Sequence, residues 1–241
     1  MITIHQFPCL SDNYGFLVHD AATGMCATID TPDADAILAA LADRGWRLSH
    51  ILNTHWHPDH AGGNAALVEA TGARVYGPQE VSRIAALPDV VVGAGDIVAL
   101  GALEARVLDV GGHTLGHIAY VFDAHKVAFV GDAVFALGCG RLFEGTATQM
   151  WDSLNRIMAL PSDTTLYCAH EYTQSNARFA LHVDPLNEAL VARAGEIDAL
   201  RAAGKPTVPM TLALELATNP FLRAGSADRF AELRAAKDTF K

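Results

Sequence analysis

The chain is poor in cysteine, in long apolar runs and in positive charge. It has only 4 cysteines in 241 residues. Cys9, Cys26, Cys139 and Cys168 form no CxxC pair, so neither a disulfide scaffold nor a thiolate metal site is suggested. No stretch approaches the roughly 18 to 20 consecutive apolar residues of a membrane span, and the opening MITIHQFPCLSDNY lacks the basic and apolar regions of a secretory leader. A cytoplasmic protein with no membrane partner is expected. The net charge of −10, from 17 Lys and Arg against 27 Asp and Glu, disfavours nucleic acid, because binding phosphates needs a basic face. The deficit is uneven. Residues 1–170 carry 8 basic and 18 acidic side chains, whereas residues 171–241 carry 9 of each, so the two segments are expected to differ in role.

Apolar residues make up 51% of the chain, enough to fill the core of one large or two modest domains. Residues 1–30 read as a meander of short β runs, ITIHQF, YGFLVHD and MCATID, broken by the turn signals SDN and ATG. Asp33 to Arg44 places Ile37, Leu38 and Leu41 on one helical face, with Gly45 as a natural stop. LSHILN then reads as a buried strand, Gly63 to Thr71 as a helix, and ARVYG, DIVALG, EARVLDV, HIAYVF and KVAFVG as further strands. Thr148 to Ala159 returns to helix before a last strand, TTLYCA. From about Tyr172 the pattern is Ala- and Leu-rich helix joined by the linkers KPTVP and TNPF. Strands grouped with helices and then a helical tail predict an α/β (α+β) domain over residues 1–170, followed by a helical one over 171–241.

The chemistry is densest at THWHPDH, where His55, His57, Asp59 and His60 fall within six residues at the end of a predicted strand. In extended chain, residues two apart point the same way, so His55 and His57 can grip one ion while Asp59 and His60, beyond Pro58, turn toward a second. Three further candidates each follow an apolar β run: His113 in GGHTLGH, Asp132 in FVGDAVF and His170 in YCAHEY. Asp132 has two oxygens and is suited to bridging. The expected set is therefore His55, His57 and His113 on one ion, Asp59, His60 and His170 on the other, and Asp132 shared. Imidazole and carboxylate without thiolate suit zinc, iron or manganese. His117, four residues after His113, competes for the same role, but it begins a strand and is read as a supporting residue. His5, His19, His50, His125 and His182 stand alone and are read as surface or hydrogen-bonded histidines.

In order and spacing, THWHPDH, GGHTLGH, GDAVF and AHEY resemble the metal motifs of the metallo-β-lactamase superfamily. Within it, DNYGFLV, GCGRLFEGT, HEYTQSNARFA, PTVPMTLALELATNPFLR and LRAAKDTFK resemble the glyoxalase II family over nearly the whole chain. The resemblance implies a four-layered αβ/βα sandwich with a C-terminal helical domain that binds glutathione. It also implies two divalent metal ions, zinc foremost, and hydrolysis of S-(2-hydroxyacyl)glutathione, chiefly S-D-lactoylglutathione, to D-lactate and glutathione. This is the second step of methylglyoxal detoxification.

The resemblance places glutathione contacts on Arg141, Tyr172, Arg234 and Lys237, and Arg234 and Lys237 lie three apart on a helical stretch. Phe143 stands where some members have tyrosine, which removes a hydroxyl while leaving a ring. Gly112 and Ala133, beside two expected ligands, also differ from common family choices and bear on metal preference. The implied nucleophile is a hydroxide shared between the two ions, with Asp132 bridging them and Asp59 orienting it; no Ser, Cys or Lys nucleophile is needed. A monomer is expected. The alternatives are a glutathione persulfide dioxygenase, which uses one iron, and another hydrolase on the same fold without the glutathione residues.

Overall fold

The computed structural model describes residues 1–240, and Lys241, the last residue of the expected helical domain, lies outside them. The chain forms two compact units: Met1–Asp109 with Gly116–His125, and Val110–Leu115 with the chain from Lys126 onward.

In the first unit the expected meander forms β1 (Ile2–Cys9), β2 (Asn13–Asp20) and β3 (Met25–Ile29), paired antiparallel in that order. α1 (Ala34–Arg44) follows because Asp33 caps its start, accepting from the Ala36 amide at 3.0 Å, and Gly45 closes it in the left-handed region at φ 65°. The helix returns the chain to β4 (Arg47–Leu52), which pairs parallel with β3. Next come α2 (Pro58–Ala61) and α3 (Asn64–Thr71), then β5 (Arg74–Gly77) and β6 (Val90–Val91), both added in parallel. Leu17, Ile37, Leu41, Ile51 and Leu67 bury the apolar stripes of α1 and α3 against this sheet. The remaining strands, β7 (Ile97–Leu100), β8 (Leu103–Asp109) and β9 (Ile118–Phe122), form an antiparallel run.

The second unit starts its sheet with β10 (Val127–Gly131). A hairpin of β11 (Val134–Phe135) and β12 (Gly138–Cys139) follows, then α4 (Ala147–Met158), which carries the chain to β13 (Thr165–Cys168), parallel to β10. The helical tail comprises α5 (Thr173–Val183), α6 (Glu188–Ala202), α7 (Leu212–Thr218) and α8 (Ala227–Thr239), with β14 (Met210–Thr211) pairing antiparallel to β13. Thr146, Asn187, Thr211 and Ser226 each cap a helix through the side chain. Leu137, from the turn of the hairpin, is buried among Ala177, Ala180, Leu190 and Ile197 of α5 and α6. Among the described residues no helix is long and apolar enough to cross a membrane.

The long elements match their sequence patterns within a residue or two. Reading the sequence did not set out α2, β6, the β11–β12 hairpin, α7 or β14, whose spans of two to seven residues are too short for a periodicity to register.

Candidate metal centre

In the first unit the ligand-rich segment begins where β4 ends. His57 keeps extended backbone (φ −58°, ψ 148°), as a residue before proline must, and Pro58 opens α2 at the position where a missing N–H costs nothing. This turn brings Asp59 and His60 back over the strand end. His55 Nε2 then lies 3.0 Å from His57 Nδ1, the His55 and His60 rings are 4.0 Å apart, and His60 Nε2 is 3.6 Å from Asp59 Oδ2. His55 and His60 are buried, whereas His57 and Asp59 are partly open.

The partners on the far side of each ring fix which nitrogen offers a lone pair. His60 Nδ1 is 2.8 Å from Asp30 Oδ2, and a carboxylate only accepts, so Nδ1 carries the proton and Nε2 keeps the ring lone pair. Thr54 gives its hydroxyl proton to Asp30 Oδ2 at 2.8 Å, which leaves its oxygen to accept from His55 Nδ1 at 3.1 Å. His55 is thereby also left with its lone pair on Nε2. Asn13 donates to Asp59 Oδ2 at 3.1 Å and holds that carboxylate. His117 is fully buried and stacks on His55 with ring centroids 4.5 Å apart.

In the second unit Asp132 is the hub. His113 Nε2 lies 3.4 Å from its Oδ2 and His170 Nε2 lies 3.4 Å from its Oδ1. One carboxylate thus presents a different oxygen to each imidazole, an arrangement compatible with a bridging ligand. His113 Nδ1 is 2.9 Å from the Arg141 carbonyl, again an acceptor only, so its Nε2, on the side of the carboxylate, keeps the ring lone pair. Gly140 makes that approach possible, because a Cβ there would run into the Asp132 carbonyl and His113 Nδ1. Gly112 meets a similar demand at φ 146°, with Met150 packed where a side chain would go.

Beside Asp132 and His113 opens a cavity of about 460 Å³, lined also by Cys139, Arg141, Phe143, Tyr172, Arg234 and Lys237. All five residues assigned by resemblance to substrate contact are therefore on its wall. Tyr172 stacks flat on His170 at 4.7 Å, and Phe143, 62% exposed, sets its ring edge-on to His113 at 5.2 Å. The two basic residues of α8 differ sharply. Arg234 is buried, donates to the Cys139 carbonyl (2.9 Å) and Asp238 (2.8 Å), and lies over Phe221. Lys237 donates to the Ser175 carbonyl at 3.0 Å and sits over the Phe179 and Phe240 rings. Burial, joined by repulsion from Arg234, Arg178 and Arg141, lowers the pKa of this lysine to about 8. Burial raises that of the Cys139 thiol to about 11, although Arg234 opposes the shift. Cys139 is therefore no thiolate nucleophile at neutral pH.

Residues 23–170 match the family model described as metallo-beta-lactamase superfamily, and residues 171–240 match that of the hydroxyacylglutathione hydrolase C-terminus. The chain is 59% identical to the hydroxyacylglutathione hydrolase of Erythrobacter litoralis, with 100% of both chains covered. The chain belongs to the hydroxyacylglutathione hydrolase family. The relative so named in Hyphomonas neptunium is 54% identical, with 100% of this chain and 99% of its own covered. Among solved structures, that of ETHE1 from Myxococcus xanthus superposes with a TM-score of 0.76 at 28% identity, covering 99% of this chain and 92% of that one. The fold is accordingly that of the metallo-β-lactamase superfamily, α/β with a helical C-terminal region, and its His and Asp donors fit divalent metal ions.

Membership in the family leaves the supporting residues to be read from the coordinates. Asp30, the most connected of them, accepts from the Thr54 amide at 2.7 Å as well as from Thr54 Oγ1, and it pairs with His60. Its φ is 57°, a left-handed conformation that aspartate tolerates better than most residues. A signal for it was present, since Asp30 follows the apolar run MCATI as Asp132 follows KVAFVG. Asn13 follows the aspartate that opens the motif DNYGFLV, at the start of β2, but nothing in that motif singles it out as a partner of Asp59.

Proposed function

We propose that the chain hydrolyses the thioester of S-(2-hydroxyacyl)glutathione, chiefly S-D-lactoylglutathione, and that two divalent ions are held by the seven residues expected from the sequence. His55, His57 and His113 serve one ion, Asp59, His60 and His170 the other, and Asp132 bridges them. The observation carrying this reading is Asp132, whose two oxygens face two different imidazole Nε2 atoms at the same 3.4 Å. The donor chemistry fits: three histidines have Nδ1 held by an acceptor, which leaves the ring lone pair on Nε2, and every donor is nitrogen or carboxylate oxygen, as borderline metals prefer. Zinc is the proposed occupant. Residues 1–170 form the proposed catalytic domain and residues 171–241 the glutathione-binding one; we place the protein in the cytoplasm as a monomer.

When bound, the ions supply an acidified water and polarise the thioester carbonyl. The chain's own residues do the rest. Asp59, anchored by Asn13, accepts a hydrogen bond from the attacking water and orients its lone pair. Lys237 and Arg141 meet the carboxylates of the glutathione moiety, while Tyr172 and Phe143 pack against its apolar stem. Arg234 shapes the same wall through the Cys139 carbonyl. The leaving group is a thiolate, whose conjugate acid has a pKa of about 8.5, so no side chain need protonate it.

The test is hydrolysis of S-D-lactoylglutathione by purified, metal-replete protein, followed by loss of thioester absorbance, with an acyl thioester of another thiol as control. A marked preference for the glutathione ester is expected. Equal rates on both thioesters would refute the substrate assignment, and oxygen consumption with a glutathione persulfide in place of thioester turnover would point to the dioxygenase instead.

A further inference from the structure

The motif LALELATNP in the tail carries three buried polar residues, Glu215, Thr218 and Asn219, with no part in the chemistry so far. Glu215 and Asn219 are both fully buried, on and just after α7, and both point at the β11–β12 hairpin. Asn219 Nδ2 donates to the Phe135 carbonyl at 3.2 Å and the Gly138 carbonyl at 3.0 Å. Glu215 Oε2 accepts from the Leu137 amide at 2.9 Å and from Asn219 itself at 3.0 Å. Asn176 of α5 donates to the Ala136 carbonyl at 3.1 Å, and Arg234 of α8 to the Cys139 carbonyl at 2.9 Å. From residue 135 to 139, each residue has a backbone group taken by a side chain of the helical tail.

The two-residue strands of this hairpin cannot hold its shape. Its turn residue Leu137 sits at φ 58°, a region that side chains other than glycine rarely adopt. The next residues are Gly140 and Arg141, and the Arg141 carbonyl receives His113 Nδ1–H. Hence the place of that carbonyl, and with it the aim of His113 Nε2, follows from where the hairpin is pinned. The same turn sets Arg141 on the cavity wall.

We infer that Glu215 and Asn219 are positioning residues: they clamp the Phe135–Cys139 backbone so that the Arg141 carbonyl orients His113 and the Arg141 side chain faces the substrate cavity. The inference rests on the metal and substrate roles proposed above for His113 and Arg141. Arg193 completes the clamp, since its guanidinium pairs with Glu215 Oε1 and donates to Thr218 Oγ1 at 2.6 Å, fixing the carboxylate that receives the Leu137 amide.

The test compares Asn219→Ala and Glu215→Gln with Ile37→Ala, a core truncation in α1, as a control for general destabilisation. Zinc affinity of the metal-free full chain is read by competition with a chromogenic chelator, alongside KM and kcat for the glutathione thioester. The two clamp variants are expected to lose about 10- to 100-fold in zinc affinity, the range found when a residue supporting a metal ligand is removed. KM should rise at least about threefold. Ile37→Ala lowers the melting temperature and leaves both within twofold. Clamp variants that only melt earlier, with zinc affinity and KM unchanged, overturn the inference. Should both fail to fold, hydrogen exchange of the wild-type Leu137 amide decides: strong protection is expected, and exchange at the rate of an unstructured chain refutes the clamp. Failure of the wild type on the glutathione thioester would sink the substrate reading and leave the zinc and exchange results standing.

Discussion

Lys237 gives the sharpest prediction, because its surroundings set both a direction and a pH. Burial penalises its ammonium most, and Arg234, Arg178 and Arg141 repel it while Asp238 opposes them, so its pKa falls to about 8. A depressed lysine is charged below its pKa and neutral above it. Attraction for a substrate carboxylate is therefore present at neutral pH and lost as pH rises through about 8. With that pKa the ammonium is present in about nine-tenths of molecules at pH 7 and about one-tenth at pH 9. A charge-assisted contact is worth about 1–2 kcal/mol, or about 5- to 30-fold in affinity, so KM should climb about three- to eightfold across that interval while kcat changes far less.

The assay is initial-rate hydrolysis of the glutathione thioester at constant ionic strength from pH 6.5 to 9.5, with the uncatalysed rate subtracted. Glutathione has ionisations of its own, and Lys237→Arg removes that ambiguity. A guanidinium stays charged throughout, so the variant should keep a flat KM where the wild type rises, and any shared slope belongs to the substrate. Superimposable profiles for the two proteins would refute the placement of the charge.

Four further outcomes follow from the site. His57→Ala should lose bound metal and nearly all turnover, read by elemental analysis and kcat; wild-type metal content and rate would overturn the ligand assignment. Asp30→Ala removes the acceptor that fixes His60 and Thr54 and should weaken zinc binding about 10- to 100-fold by chelator competition, whereas Asp30→Asn should fall between it and the wild type. Gly140→Ala drives a methyl group against the Asp132 carbonyl and His113 Nδ1 and should cost about 1–3 kcal/mol of stability in chemical denaturation together with metal affinity. Phe143→Tyr restores a hydroxyl at an exposed ring on the cavity rim and should lower KM by about 2- to 10-fold, the worth of one hydrogen bond of about 0.5–1.5 kcal/mol.

The legible and illegible parts of the sequence divide on a physical line. His55, His57, Asp59 and His60 are readable because a strand end followed by Pro58 leaves few ways to point them, and four donors in six residues have few other uses. His113, Asp132 and His170 are readable for the same reason, each ending an apolar run. The hairpin at residues 134–139 is illegible, because two-residue strands carry no period and their stability is borrowed from Asn176, Glu215, Asn219 and Arg234, which lie 40 to 95 positions away from their hairpin partners in the chain. Arg234 shows the limit of spacing arguments. Its three-residue offset from Lys237 puts both on one face of α8, as expected, yet burial and the Cys139 carbonyl commit its guanidinium inward and leave Lys237 the more open of the two.

That division also accounts for the uneven charge. The proposed metal ligands include Asp59 and Asp132, in a segment with ten more acids than bases, which suits cations and repels an anionic substrate. The proposed substrate carries two carboxylates against one ammonium and therefore needs local compensation. Of the cations whose fields converge on Lys237, Arg178 and Arg234 come from the tail, as does Lys237, and Arg141 comes from the loop that the tail clamps. Burial contributes most to the depressed pKa of Lys237, and the like charges concentrated at one wall add to it. Replacing Arg178 by glutamine should accordingly move the inflection of the wild-type KM profile upward in pH while weakening binding at pH 7, two effects that a neutral surface residue would not produce together.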